Sequence, residues 1–103
     1  QAIEACGKLV EVNLYVAGYT DTVGSRADNL TLSHARAVAM GVWFRAHGIS
    51  TPIYVQGFGE DVLFKSTPDE TAEAANRRAV YVVGNHPPAT SVAIPRSAWK
   101  LLP

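Results

Sequence analysis

Between Val10 and Ala17 apolar and polar side chains alternate. Val10, Val12, Leu14 and Val16 fall on one face and Glu11, Asn13 and Tyr15 on the other, the period-two signature of a half-buried strand closed by Gly18. Upstream, residues 1–8 have helical composition, with Ala2, Ala5 and Cys6 on one side, and read as the last turns of a helix. Downstream, residues 20–29 are small and polar and predict a loop. Ser33 is the expected N-cap of a helix running to about His47. Its apolar stripe of Ala35, Val38, Ala39, Val42 and Ala46 is expected to pack on a sheet. Gly48 then takes a left-handed position, and Ile49 folds back onto the helix end.

A short second strand is expected at Pro52 to Gln56, with Ile53 and Val55 inward, broken by Gly57-Phe58-Gly59. Residues 60–69 read as a long loop and 70–76 as a helix of about two turns. Arg78 to Val83 alternates as a third strand, with Val80 and Val82 on one face and Ala79, Tyr81 and Val83 on the other. From Gly84 onward Pro87, Pro88, Pro95 and Pro103 exclude regular structure, leaving an extended arm. Within it Val92, Ile94, Trp99 and Leu101 are the expected packing residues. Strands alternating with helices give an α/β (α+β) two-layer sandwich, β-α-β-α-β, with the helices on one face of a small mixed sheet.

The chain has 103 residues, which allows one domain, and 48% hydrophobic against 17% charged residues marks a folded one. Nine Lys+Arg balance nine Asp+Glu, so there is no electrostatic footprint for nucleic acid or an anionic membrane surface. No apolar run approaches the ~20 residues of a membrane helix, so the domain itself is not expected to be membrane-embedded. Cys6 is alone and reads as a small core filler, without a disulfide or a cysteine metal cluster. His34, His47 and His86 lack metal-ligand spacing, and no metal or cofactor is expected. Ser33 and His34 are adjacent on a helix and point apart, so they do not make a nucleophile and its base. The Gly57-Phe58-Gly59-Glu60 turn lacks the third glycine and the following helix of a phosphate loop. Nothing in the residues calls for catalysis.

The chemistry concentrates in Gly18-Tyr19-Thr20-Asp21-Thr22-Val23-Gly24, Asn29, and Leu32-Ser33-His34-Ala35-Arg36-Ala37. Asp21 follows a strand end, in a loop expected to face solvent or ligand. With Ser33 as cap, Arg36 lies in the first helical turn, where the helix end also favours an anion. A carboxylate for an ammonium and a bidentate guanidinium for a carboxylate suit an amino-acid head group. Two readings stay open on this evidence: a zwitterion clamp, or an Asp21–Arg36 ion pair bracing the loop, which is the commoner fate of surface charges. Asn76-Arg77-Arg78, leading into the last strand, reads first as capping and pairing with loop carboxylates such as Glu60.

These blocks resemble the OmpA-like peptidoglycan-binding domain shared by outer-membrane protein A C-termini, the Pal lipoprotein and the flagellar stator protein MotB. The family pattern of G-[HY]-[TS]-D-x-x-G, N-x-x-L-S-x-x-R-A, G-[FYM]-G-[EK] and N-R-R-[VA] is met in order. Its matches are Gly18 to Asp21 with Gly24, Asn29 to Ala37, Gly57 to Glu60, and Asn76 to Ala79. The resemblance implies non-covalent binding of the peptidoglycan stem peptide through meso-diaminopimelate. Asp21 would take the ammonium and Arg36 the carboxylate, with Thr20 and Leu32 lining the pocket. Asn29, Asn76, Arg77 and Arg78 would support the loops. It further implies a non-enzymatic domain in the Gram-negative periplasm, anchoring a parent protein attached to the outer membrane or envelope, with a dimer as one allowed assembly. The family domain corresponds to residues 1–84, entered partway through its first helix, so the family's first strand is missing. Residues 85–103 form a Pro-rich C-terminal extension without a counterpart. A protein–protein interaction module on the same fold, in an envelope secretion or motor assembly, is the alternative. A small cell-wall hydrolase is the weaker rival, for want of a nucleophile or metal.

Overall fold

The computed structural model describes residues 12–63, 65, 67 and 71–102. The helix end expected over residues 1–8, Cys6, Val10 and Glu11 lie outside them, as does Glu70. Among the described residues four strands form one mixed sheet in the order β3-β1-β2-β4, where β1 is Asn13–Gly18, β2 Ile53–Gly57, β3 Ala79–Gly84 and β4 Lys100–Leu101. β1 and β2 are parallel and joined through helix α1, Arg26–Ala46, while β3 and β4 run antiparallel at the two edges. The result is an α+β two-layer sandwich. Among the described residues a single 3₁₀ turn, Ala74–Asn76, stands where a helix was expected over 70–76.

Helix α1 starts earlier than its apolar pattern suggests. Ser25 is the N-cap, its hydroxyl accepting from the Asp28 N–H at 3.0 Å, with the Asp28 carboxylate in the first turn where the helix dipole favours it. Residues 26–29, expected in the loop, are therefore helical. Ser33 lies inside the helix, buried, donating to the Leu30 carbonyl at 2.9 Å and accepting from the Gly59 N–H at 2.8 Å. The helix ends as expected. The Ile49 N–H reaches the Phe44 carbonyl and the Gly48 N–H that of Arg45, with Gly48 at φ 94°.

The buried helix face also differs from the expected stripe. Ala35, Ala39, Val42 and Ala46 are exposed and Val38 half-buried; the residues against the sheet are Asn29, Ser33, Ala37 and Gly41, four apart. The reason is distance. A Cβ placed on Gly18 of β1 would lie 2.0 Å from the Ser33 carbonyl oxygen, and one on Gly57 of β2 would lie 2.4 Å from the His34 nitrogen. Backbones this close admit only small side chains between them.

Two cores result. Leu14, Val16, Ile53 and Val55 meet Ala37 and Leu102 on the helix side. On the other face Ala17, Tyr19, Phe58 and Val62 pack with Ile94 of the C-terminal segment. β1 is thus buried on both faces, and Tyr15, expected on an open face, is 2% exposed. The arm packs on the sheet through Ile94, Trp99 and Leu102, whereas Val92 and Leu101 are exposed. Its last residues form β4, which pairs Tyr54 with Leu101, and the Leu102 N–H bonds the Ile53 carbonyl at 2.7 Å.

Candidate functional site

The end of β1 runs directly into the site. Tyr19 is fully buried: its ring stacks on Phe58 at 5.6 Å and its hydroxyl donates to the Ala93 carbonyl at 2.7 Å. Burial pushes its phenol up to about 12, against the lowering influence of the Arg78 charge. The Tyr19 N–H bonds the Arg78 carbonyl and the Thr20 N–H that of Gly59, so this segment is stitched to both neighbouring loops. Thr20, also buried, donates its hydroxyl to the Asp21 carbonyl at 3.0 Å.

Asp21 does not stand open to solvent; its side chain is only 9% exposed. One carboxylate oxygen accepts the Val23 N–H at 3.2 Å. The other accepts the Glu73 N–H at 3.3 Å and Arg77 Nη1 at 3.2 Å. The covering segment is fastened next door, where Thr22 Oγ1 accepts the Thr71 N–H at 2.8 Å. Asp21 therefore pairs with Arg77, not with Arg36. Arg36 donates to the Tyr19 carbonyl, its one hydrogen bond among the described residues. It sits in the middle of α1, so the electrostatics of the helix N-terminus do not act on it as expected. Both charges are nevertheless fixed to one short stretch of backbone, residues 19–21.

Of the remaining predicted residues, Asn29, Arg77 and Arg78 bond directly to this stretch. Asn29 Nδ2 donates to the carbonyls of Asp21 and Val23, at 3.3 and 3.0 Å, and to Glu60 Oε1 at 2.8 Å. Asn76 grips the backbone of Lys65 from both sides at 2.9 Å, accepting its N–H and donating to its carbonyl. Leu32 is half exposed on the helix surface. Arg77 takes Asp21 rather than Glu60, and Arg78 contributes its carbonyl to Tyr19. Ser25 was legible as a cap, since Ser25-Arg26-Ala27-Asp28 puts an acid three residues after the serine. No local signal connects Arg77 to Asp21, which are 56 residues apart.

The sandwich thus fixes a carboxylate on the braced strand-to-helix loop and a guanidinium on α1 to the same backbone stretch, residues 19–21. A model of the OmpA family matches residues 1–78, and the chain belongs to that family. Membership supports peptidoglycan binding or envelope anchoring at the level of the family. No curated protein matches the chain. Among the described residues no helix is long and apolar enough to cross a membrane.

Proposed function

We propose that the domain anchors an envelope protein to the cell wall by gripping the side-chain end of meso-diaminopimelate in the peptidoglycan stem peptide. Asp21 receives the ammonium and Arg36 the carboxylate, in the periplasm of a Gram-negative cell and without catalysis. The observation that carries this reading is the unsaturated state of Asp21. An ionised carboxylate offers about four lone-pair sites. Among the described residues three are used, all at 3.2–3.3 Å, longer than the ~2.7–2.9 Å of strong charge-assisted bonds. The Arg77 side chain is 46% exposed and free to yield its oxygen to an incoming ammonium. Among the described residues Arg36 uses one donor of its five, leaving an edge for a carboxylate. Leu32 supplies an apolar wall for the methylene stem. Thr20 acts by fixing the Asp21 peptide.

Pull-down with purified sacculi tests the reading. Asp21→Asn, which removes the charge and keeps one of the two accepting oxygens, and Arg36→Ala are expected to abolish retention while far-UV circular dichroism stays native. Arg36→Lys is expected to weaken it, because the bidentate fork is lost. Raised salt lowers retention of the native domain. Undiminished binding by both Asp21→Asn and Arg36→Ala would sink the proposal.

A further inference from the structure

On the sheet face turned away from α1 a groove of about 400 Å³ opens between β1, β2 and the C-terminal segment. Tyr15 lies at its base, buried, with its ring stacked on Tyr54 at 5.3 Å and 14° and met edge-on by Trp99 at 5.4 Å and 70°. Asn13 Nδ2 donates to the Tyr15 hydroxyl at 3.0 Å and fixes the Tyr15 ring's orientation from the rim. Tyr54 and Trp99 are half-buried, so each keeps ring surface on the groove. The opposite wall brings Asn85, His86 and Ser97.

Two properties define what fits. The rings hold one another in place, so a ligand stacking on them immobilises little that was free before. Among the described residues no carboxylate, lysine or arginine lines the groove, so an ionic ligand would be desolvated there without a partner among them. A neutral ring that is apolar on its faces and polar around its rim meets both conditions. Its C–H bonds pack on the negative face of an aromatic ring, and its rim groups bond to neutral amides and a hydroxyl. Trp99 adds a buried Nε1–H that has no hydrogen-bond partner among the described residues.

We propose that this groove binds an N-acetylated hexosamine ring of a glycan strand, stacked on Tyr54 and Trp99 with Asn13, Asn85 and Ser97 at its rim. The choice of an amino sugar over other neutral polyols rests on the wall-binding reading above. The site is separate from the Asp21 clamp, on residues that include the segment beyond the family match. The domain would then hold the stem peptide at one site and the sugar strand at the other.

The test is titration of the ¹⁵N-labelled domain with tri-N-acetylchitotriose, which carries no peptide. Expected are saturable shifts at the Trp99 indole and the Asn85 and Ser97 amides, with the Trp43 indole unmoved as an internal control. Tyr54→Ala is expected to weaken binding about fivefold, the equivalent of ~1 kcal/mol of lost stacking. Asn85→Ala, on an exposed residue with no part in the core, serves where Tyr54→Ala unfolds. Asp21→Asn is expected to bind the trisaccharide unchanged, so the two sites fail separately. Three outcomes overturn the proposal: no saturable shift, shifts centred on Asp21, or capture of a proline-rich peptide in place of the sugar.

Discussion

Replacing Gly18 by alanine tests how this fold brings its charges together. The new Cβ would stand 2.0 Å from the Ser33 carbonyl oxygen, 3.0 Å from its carbon and 3.2 Å from the Ala37 nitrogen. Ordinary contact begins near 3.4 Å, so helix and strand must separate by more than an ångström, and all three neighbours are backbone atoms that cannot rotate aside. Such a separation also strains the Arg36 bond to the Tyr19 carbonyl and the Gly59 bond to Ser33. Overpacking costs roughly 1–3 kcal/mol, and backbone contact places this case at the upper end, about 3 kcal/mol. A domain of this size is stable by only about 5–15 kcal/mol. The midpoint of thermal unfolding should therefore fall by roughly 12–24 °C. Urea titration followed by far-UV circular dichroism measures the loss directly, with m unchanged. Gly84→Ala is the control: its nearest neighbour is 3.4 Å away, and the change should stay within about 0.5 kcal/mol. A Gly18→Ala protein as stable as Gly84→Ala would refute the claim that close approach sets the position of α1.

Two further predictions concern titration. Tyr19 has a folded pKa raised above the unfolded value, so its contribution is complete below about pH 10 and is lost as pH rises toward about 12. Tyr19→Phe should remove that alkaline decline and, by deleting the bond to Ala93, cost about 1 kcal/mol at neutral pH; an unchanged alkaline limb would contradict the assignment. For Asp61, burial pushes the carboxyl up, but hydrogen bonds and charge from Arg26 and Arg96 outweigh it and hold the group below the usual carboxylate range. Its contribution is present above the unfolded value near pH 4 and is lost as pH falls through the lower folded value. Asp61→Asn should destabilise by no more than about 1 kcal/mol at pH 7 and flatten the acid limb in urea titrations, whereas an identical acid limb would exclude this role.

The elements that local chemistry can specify were legible. Alternation marked β1, and Gly48 with Ile49 marked the end of α1, because both are decided within a few residues. The motif blocks around Asp21 and Arg36 identified the family. The helix start was misplaced by its apolar pattern, because the face that packs on the sheet is made of Asn29, Ser33, Ala37 and Gly41. A hydrophobic stripe reports what avoids water, while this interface is ruled by how near two backbones come.

By itself, then, the sequence determined a small α+β domain of the OmpA family and named the two charges of its loop. Only the tertiary structure decided their surroundings. It buried Asp21 beneath the 71–77 segment, gave it Arg77 as partner and left Arg36 to the Tyr19 carbonyl. It also folded the proline-rich arm over the second face of the sheet, where Tyr54 and Trp99 now border a groove. Charge pairing and two-sided burial join residues from opposite ends of the chain, and their geometry exists only once the strands between them are in register.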